Sequence, residues 1–149
     1  MPDITERKFA EIDALTLYRL LRLRVDIFVV EQDCAYPELD GRDIDPDTRH
    51  IWIDGSGGPV AYLRVLAEPV GGHRIGRVAT AFAQRGRGFA GALIDYVLQT
   101  TPGQLVLDAQ AYLEAWYLKR GFHTAGEPFL EAGILHVPMV YQNNDEKPD

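Results

Sequence analysis

The sequence predicts one α+β domain, an α/β fold in the broad sense, with a mixed, mostly antiparallel sheet of about six or seven strands flanked by helices. The chain has 149 residues, the size of a single domain. Its first half holds strand-like segments joined by tight glycine-rich connections, which is typical of an antiparallel meander. Its second half alternates helical and strand-like segments. We expect the domain to span residues 1–142 and residues 143–149 to form a flexible tail.

The N-terminal half predicts a strand, a helix, a long loop and then the meander. A short strand over Ile4–Phe9 precedes Asp13, which suits the N-cap of a helix over residues 14–28 with leucines at helical spacing. Residues 29–47 lose this periodicity and gain proline and glycine, so we expect an ordered loop. Long loops in compact domains are often functional. The meander strands cover residues 50–53, 59–67 and 74–82.

The C-terminal half predicts two helices and three strands. A loop over Gln84–Gly88 leads into a helix over residues 89–98, which Pro102-Gly103 ends. A second helix over residues 111–120 stops at Gly121, a residue that suits the position just after a helix. The strands cover residues 105–107, 122–127 and 134–141.

The composition excludes several classes of protein. The net charge of -7 argues against broad nucleic-acid binding, which needs a basic face. The longest aliphatic or aromatic run, Ile27–Val30, is far shorter than the ~20 residues of a membrane span. The first residues have no apolar signal core, so we expect a cytoplasmic protein. The single cysteine, Cys34, excludes an internal disulfide and a CxxC metal site; we expect no metal, and a thiol that packs in its loop.

Charge is unevenly distributed along the chain. Residues 69–94 contain no Asp or Glu but hold Arg74, Arg77, Arg85 and Arg87. Residues 31–47 carry seven acidic residues and a single arginine. A basic patch on an acidic protein predicts one anionic ligand, and the acidic segment would suit a cationic one.

The sharpest local signal is a strand that runs through a glycine-rich loop into a helix over Thr80–Gly91. Such a loop turns backbone N–H groups and the helix N-terminus toward a phosphate. One interpretation is a dinucleotide site, because Gly86, Gly88 and Gly91 spell GxGxxG and Asp108 follows Gly88 by 20 residues. That would make the chain a small oxidoreductase. It ranks second because an antiparallel meander precedes the loop, whereas the fingerprint usually opens a parallel domain.

The other interpretation is the diphosphate of an acyl-CoA. The segment Arg85-Gly86-Arg87-Gly88-Phe89-Ala90 fits (Q/R)xxGx(G/A) and resembles the pyrophosphate loop of the GNAT superfamily of N-acyltransferases. Residues 110–122 resemble its NxxAxxxYxxxGF motif, with Gln110 in place of Asn and Leu113 in place of Ala. The segment around Phe28-Val29-Val30-Glu31-Gln32 is similar to ElaA-type acetyltransferases. The resemblance spans roughly residues 15–140.

This resemblance implies a GNAT fold, a sheet that splays at the cofactor site, and acetyl-CoA as cofactor. It implies direct transfer of the acetyl group to a primary amine of a small cationic or peptide acceptor. Tyr117 would be the acid, since a phenol with pKa ~10 stays protonated beside a thiol of ~8.5. Strand backbone would pair with the cofactor and polarise its carbonyl. The residues implied to bind the cofactor are Val78, Ala79, Thr80, Arg85, Gly86, Arg87, Gly88, Phe89, Ala90, Gln110 and Tyr117.

The base and the acceptor residues are less constrained, and the candidate bases are Glu31, Asp40, Asp43 and His50. Glu31, where an apolar segment meets a polar loop, is a candidate base or alternatively a partner of Arg24. His50 is a candidate or a packed strand histidine, and Tyr36 either walls the acceptor pocket or anchors the loop. A sensor that binds acyl-CoA without turnover stays open, as does a homodimer. The candidate acceptor-binding residues are Glu31, Tyr36, Asp40, Asp43 and His50.

Overall fold

Eight strands form one sheet with three α-helices packed around it, in a computed structural model that describes residues 2–143. The strands are β1 (Ile4–Arg7), β2 (Arg49–Gly55), β3 (Gly58–Ala67), β4 (His73–Thr80), β5 (Gly103–Gln110), β6 (His123–Thr124), β7 (Phe129–Glu131) and β8 (Ile134–Asn143). The helices are α1 (Ala14–Val25), α2 (Phe89–Thr100) and α3 (Glu114–Leu118), with a π-helical turn over Asp26–Glu31.

The sheet has the strand order β1-β2-β3-β4-β5-β8-β6, and β7 pairs with the start of β8. The predicted antiparallel meander is confirmed by the pairings of β1 to β4. β5 pairs with β4 in parallel and with β8 in antiparallel orientation, so the predicted mixed, mostly antiparallel sheet is confirmed. The predicted strand over residues 122–127 shrinks to two residues in β6, and β7 has three. Strands this short leave no alternation to detect in the sequence.

The ends of the elements follow local chemistry. α1 starts where predicted, since the Asp13 carboxylate accepts a hydrogen bond from the Thr16 N–H at 3.1 Å. The chain then winds into the π-helical turn, so the predicted loop begins later than residue 29. The expected tail falls outside the described residues except for Asn143, which is buried at the end of β8. Within residues 2–143, no helix has the length and hydropathy needed to cross a membrane.

Two apolar clusters cover the two faces of the sheet. α2 packs on one face over Leu63, Val65 and their neighbours, and this cluster also contains Tyr117 and Val137. α1 packs on the other face, where its buried leucines meet Trp52, Tyr62 and Ala79. The alternation of Tyr62, Leu63 and Arg64 between the two faces is the two-residue period of a β-strand.

The sheet opens between β4 and β5. Each strand has eight residues, yet they pair only at His73↔Leu105 and Arg74↔Val106. A β-bulge helps to turn β4 away, because Arg77 and Val78 lie where β3 offers only Leu63. Arg77 has a φ of 54°, a left-handed conformation that is uncommon outside glycine. The predicted splay is therefore built into the register of the strands.

Candidate active site

The opening between β4 and β5 widens into a cavity of about 590 Å³. Ligand pockets typically measure about 300–1,000 Å³. The cavity is lined by β4, the end of β5, the glycine loop, the start of α2, α3, the π-helical turn and the hairpin between β7 and β8. It therefore contacts both apolar clusters and both faces of the sheet.

The glycine loop brings uncapped backbone N–H groups to this cavity. Gly86 and Gly88 have φ values of 82° and 80°, conformations that glycine adopts without strain. Gly88 is the N-cap of α2, and no side chain caps this helix end. A Cβ at either glycine would meet nothing within 4 Å, so the loop faces open space. An uncapped helix N-terminus carries partial positive charge, and the loop is thus arranged for an anion.

The third glycine of the GxGxxG pattern has a different role. A Cβ at Gly91 would collide with the guanidinium group of Arg120, which lies 4.4 Å from the Trp116 ring centroid and pairs with Asp95 at 2.8 Å. Asp108, the other element of the dinucleotide pattern, pairs with Arg74 at 3.1 Å. Gly91 therefore serves helix packing, and the geometry does not support the dinucleotide interpretation.

The two arginines of the glycine loop differ. Arg85 donates two hydrogen bonds to the Glu31 carboxylate, at 2.6 and 2.8 Å, and its Nε donates to the Thr80 carbonyl at 3.1 Å. Arg87 is exposed, and it has no ion pair within residues 2–143. The hydrogen bond from Arg85 lowers the pKa of Glu31. Because both Glu31 oxygens accept from the guanidinium group, this carboxylate is poorly placed to act as the base.

Tyr117 lies in the wall of the cavity between two aromatic rings. Its ring contacts Trp116 and Phe122 edge-on, at centroid distances of 4.9 and 5.5 Å. Burial raises the pKa of Tyr117 to about 12. Tyr117 is one of the residues that line the cavity, and its hydroxyl has no hydrogen-bond partner in the described part of the chain. Tyr117 is therefore a protonated donor that is free to bind a ligand atom.

Asp40 and Asp43 of the acidic segment lie away from the cavity. Asp43 is buried and accepts hydrogen bonds from Arg24 at 2.8 Å and Arg64 at 2.9 Å. Asp40 pairs with Arg64 at 2.5 Å. Burial would raise the pKa of both carboxyls, but the arginines lower it. Their charge is neutralised within the fold and neither lines the cavity, so the geometry does not support the prediction that Asp40 and Asp43 bind the acceptor.

His50 belongs to the same buried network. Its Nε2 lies 3.0 Å from the Asp43 carbonyl oxygen, and its Nδ1 lies 2.7 Å from the Tyr62 hydroxyl. A carbonyl only accepts, so Nε2 carries the proton and Nδ1 accepts from Tyr62. Burial lowers the pKa of His50, which stays neutral. His50 is packed in its strand and does not line the cavity, so the geometry does not support its predicted contact with the acceptor.

Tyr36 fits both of its interpretations. It lines the cavity, its hydroxyl donates to Glu38 at 2.7 Å, and the Arg77 guanidinium lies 5.6 Å from its ring centroid. The cavity also brings together most of the predicted cofactor residues, with Arg87 as the exception. Those that line it are Val78, Ala79, Thr80, Arg85, Gly86, Gly88, Phe89, Ala90, Gln110 and Tyr117.

Sequence reasoning missed the hairpin between β7 and β8. Glu131, Ala132 and His136 from this hairpin line the cavity. The Cys34 thiol donates to the Ala132 carbonyl at 3.0 Å, and so it packs the long loop against the hairpin. The segment Glu131-Ala132-Gly133 is a turn signal that could have indicated the hairpin. Within residues 2–143, no group of three or more His, Cys, Asp or Glu side chains is arranged to hold a metal ion.

A parallel strand pair that separates beside a glycine loop and a helix N-terminus defines the fold of the acyl-CoA N-acyltransferases. The family profile of the acetyltransferase (GNAT) domain matches residues 26–143, and the chain belongs to this family. A UPF0039 protein of Mycobacterium tuberculosis is 47% identical over an alignment of 135 positions, which covers 87% of this chain and 86% of that protein.

Solved structures agree with this assignment. Escherichia coli ElaA has a TM-score of 0.86 and 32% identity, covering 95% of this chain and 100% of that chain. An acyl-CoA N-acyltransferase from Pseudomonas aeruginosa has a TM-score of 0.85 and 38% identity, covering 95% of this chain and 99% of that chain. The predicted GNAT fold and the resemblance to ElaA are confirmed, and with them an acyltransferase.

Proposed function

We propose that this protein transfers the acetyl group of acetyl-CoA directly to the primary amine of a small cationic or peptide acceptor. The opening through the sheet is the observation that carries the proposal. Because β4 and β5 separate after two residue pairs, one cavity reaches the glycine loop, Tyr117 and the β7–β8 hairpin. Two substrates can thus meet without an intermediate on the enzyme, and Cys34 is not needed as a nucleophile.

The glycine loop fits the diphosphate of CoA. The N–H groups of Phe89 and Ala90 lie at the uncapped start of α2, and the open space over Gly86 and Gly88 allows phosphate oxygens to approach the backbone. Arg87 adds a positive charge without an ion pair among residues 2–143. Arg85 keeps the loop in place through Glu31 and Thr80.

The free edge of β4 fits the thioester. The Ala81 N–H donates to the Val60 carbonyl at 2.8 Å, so alternation turns the N–H and C=O of Thr80 away from β3 and toward the opening. The Thr80 carbonyl already accepts from Arg85. An N–H group on this edge can donate to the carbonyl oxygen as it gains negative charge. One such donor typically contributes about 2.7–4 kcal/mol to the transition state.

Tyr117 fits the departing sulfur. Its pKa of about 12 keeps it protonated. Full proton transfer to a thiolate with pKa ~8.5 is uphill, so Tyr117 chiefly stabilises the thiolate by a hydrogen bond.

We propose that the β7–β8 hairpin, rather than Asp40 and Asp43, binds the cationic acceptor. Glu131 lines the cavity, is exposed, and has no ion pair within the described residues. Its carboxylate is thus available to an ammonium group, unlike those of Asp40 and Asp43. We also place the protein in the cytoplasm, since a reducing compartment keeps a lone thiol such as Cys34 free.

A panel of amines tests the proposal. Acetyl-CoA is incubated with a polyamine, an aminoglycoside, lysine and a peptide with a free N-terminus, and CoA thiol release and the mass of the amine are recorded. We expect amine-dependent thiol release and a mono-acetylated product. Binding of CoA without any thiol release would favour the sensor, and binding of NADH instead of CoA would favour the oxidoreductase.

A further inference from the structure

We propose that His136 is the base that takes the proton from the acceptor's ammonium group, through its Nε2 atom. This inference rests on the acetyl transfer proposed above and adds the group which that proposal lacks. His136 lies on β8 and lines the cavity. The bases predicted from the sequence do not supply an equivalent group, because Glu31 is tied to Arg85 and His50 is buried.

The hydrogen bonding of His136 fixes its tautomer. Its Nδ1 lies 2.8 Å from the carbonyl oxygen of Ile134. A carbonyl has no proton to give, so Nδ1 carries the proton and Nε2 of the neutral ring keeps a lone pair. The ring also stacks on Phe129 at a centroid distance of 5.8 Å and an interplanar angle of 23°. Two contacts therefore hold the ring with its basic nitrogen free.

The Nε2 atom is available to a ligand. It has no hydrogen-bond partner within residues 2–143. The ring is half-buried, and Nε2 remains accessible to solvent. Among the described residues, the unpaired side-chain atoms that solvent does not reach are Arg64 Nε and His73 Nδ1. An unpaired basic nitrogen on a side chain that lines the cavity is what a general base requires.

The strand register places this base and Tyr117 on opposite faces of the sheet. His136 lies opposite Gln110, whereas the neighbouring pair of Ala109 and Val137 is buried in the cluster that contains Tyr117. Alternation therefore turns His136 and Gln110 to the other face. The opening between β4 and β5 connects the two faces, so the amine can lose its proton on one side while the sulfur departs on the other.

Two carboxylates on neighbouring strands lie on the same face of the sheet as His136. His136 pairs with Gln110 on β5 and with Phe129 on β7. Asp108 is two residues before Gln110, and Glu131 is two residues after Phe129, so alternation puts both carboxylates on the same face of the sheet as His136. Asp108 pairs with Arg74, and Glu131 has no ion pair in the described part of the chain. Because Asp108 is neutralised by Arg74, we assign Glu131 alone to holding the ammonium group and to stabilising the positive charge that His136 gains.

The proton balance of the step is complete. The ammonium group gives one proton to Nε2, and the amine nitrogen then attacks the thioester carbon. As the C–S bond breaks, the nitrogen loses its second proton and the thiolate gains one, leaving an amide and a thiol. The imidazolium returns its proton to solvent, so one proton is released per turnover.

The variant His136→Asn tests the assignment. Its side-chain amide can still donate to the Ile134 carbonyl, but it has no basic nitrogen. With acetyl-CoA and the best amine of the panel, we expect kcat to fall by roughly 10²–10⁴ near neutral pH. The loss should shrink at alkaline pH, where the amine sheds its proton to solvent, and the dissociation constant of CoA should stay unchanged. A purely structural role would not produce this pH dependence.

His123→Asn is the matched control, because His123 is exposed on β6 and does not line the cavity. We expect it to behave as the unmodified protein. If His136→Asn fails to fold, His136→Ala should regain activity on addition of imidazole. Unchanged kcat in His136→Asn, or a loss that is equal at every pH, would overturn the assignment. If the unmodified protein binds CoA but releases no thiol with any amine or with water, the proposed function itself fails.

Discussion

The acidic segment 31–47 and the basic segment 69–94 stand out equally in the sequence but differ in the fold. Glu38, Asp40 and Asp43 meet arginines inside the protein, while the basic segment presents the uncapped start of α2 and Arg87 at the surface. A run of charges therefore indicates which ions a segment can attract. Burial and pairing decide whether that charge remains available to a ligand.

The largest expected effect is a loss of stability when the buried arginine partner of the acidic segment is removed. Arg24 is 1% exposed and bridges Glu38 and Asp43. Replacing it in Arg24→Met leaves buried carboxylates short of a partner, which typically costs about 3–5 kcal/mol. Urea unfolding at neutral pH measures the loss of free energy of unfolding.

Arg22→Met is the matched control, since that side chain on the same helix is 73% exposed and lies 3.8 Å from Asp26. We expect it to change stability by no more than about 0.5 kcal/mol. Equal stability of the two variants would contradict a folding role for the buried network.

The next largest expected effect is a fall in kcat when the Tyr117 hydroxyl, the proposed partner of the departing thiolate, is removed. Tyr117→Phe keeps the ring that packs between Trp116 and Phe122 and removes only the free hydroxyl. We expect kcat for the best amine to fall by roughly 10²–10³, the usual cost of losing one donor to a developing negative charge, with little change in CoA affinity. Tyr141→Phe is the control, because Tyr141 packs on the same Phe122 but does not line the cavity. Turnover at the unmodified rate would exclude Tyr117 from this role.

The smallest expected effect is that of Glu31→Gln on kcat, and it tests whether Glu31 or His136 is the base. An exposed ion pair contributes only ~0.2–1 kcal/mol, so Glu31→Gln should change kcat less than about fivefold. A base would instead cost roughly 10²–10⁴. Steady-state kinetics at saturating acetyl-CoA distinguishes the two roles, and a loss in the larger range would return the role of base to Glu31.

The sequence predicted what depends on local chemistry. The glycine loop could be predicted because left-handed residues before a helix, such as Gly86 and Gly88, favour glycine. Asp13 could be predicted as an N-cap from its residue type and position. The antiparallel meander followed from its tight turns, and the splay followed from the family resemblance. The caps and the turns of the meander involve residues that are close in the chain.

The pairing of distant residues could not be predicted. Glu31 and Arg85 are 54 positions apart, and Asp40 and Arg64 are 24 apart. Each carboxylate looked free because its partner comes from another element. His136 was missed for the same reason, since its role depends on the pairing of β8 with β5 and on the tautomer that Ile134 imposes.

The central claim is that the open glycine loop holds the diphosphate of CoA, and Gly88→Glu tests it most directly. Gly71→Glu is the matched control, because Gly71 also has a positive φ, 103°, and open space where a Cβ would lie, but it is in the turn between β3 and β4. Titration of CoA by calorimetry should show at least about tenfold weaker binding to Gly88→Glu, or ~1.4 kcal/mol. Gly71→Glu should bind CoA as the unmodified protein does. Equal CoA affinity in both variants would contradict the account.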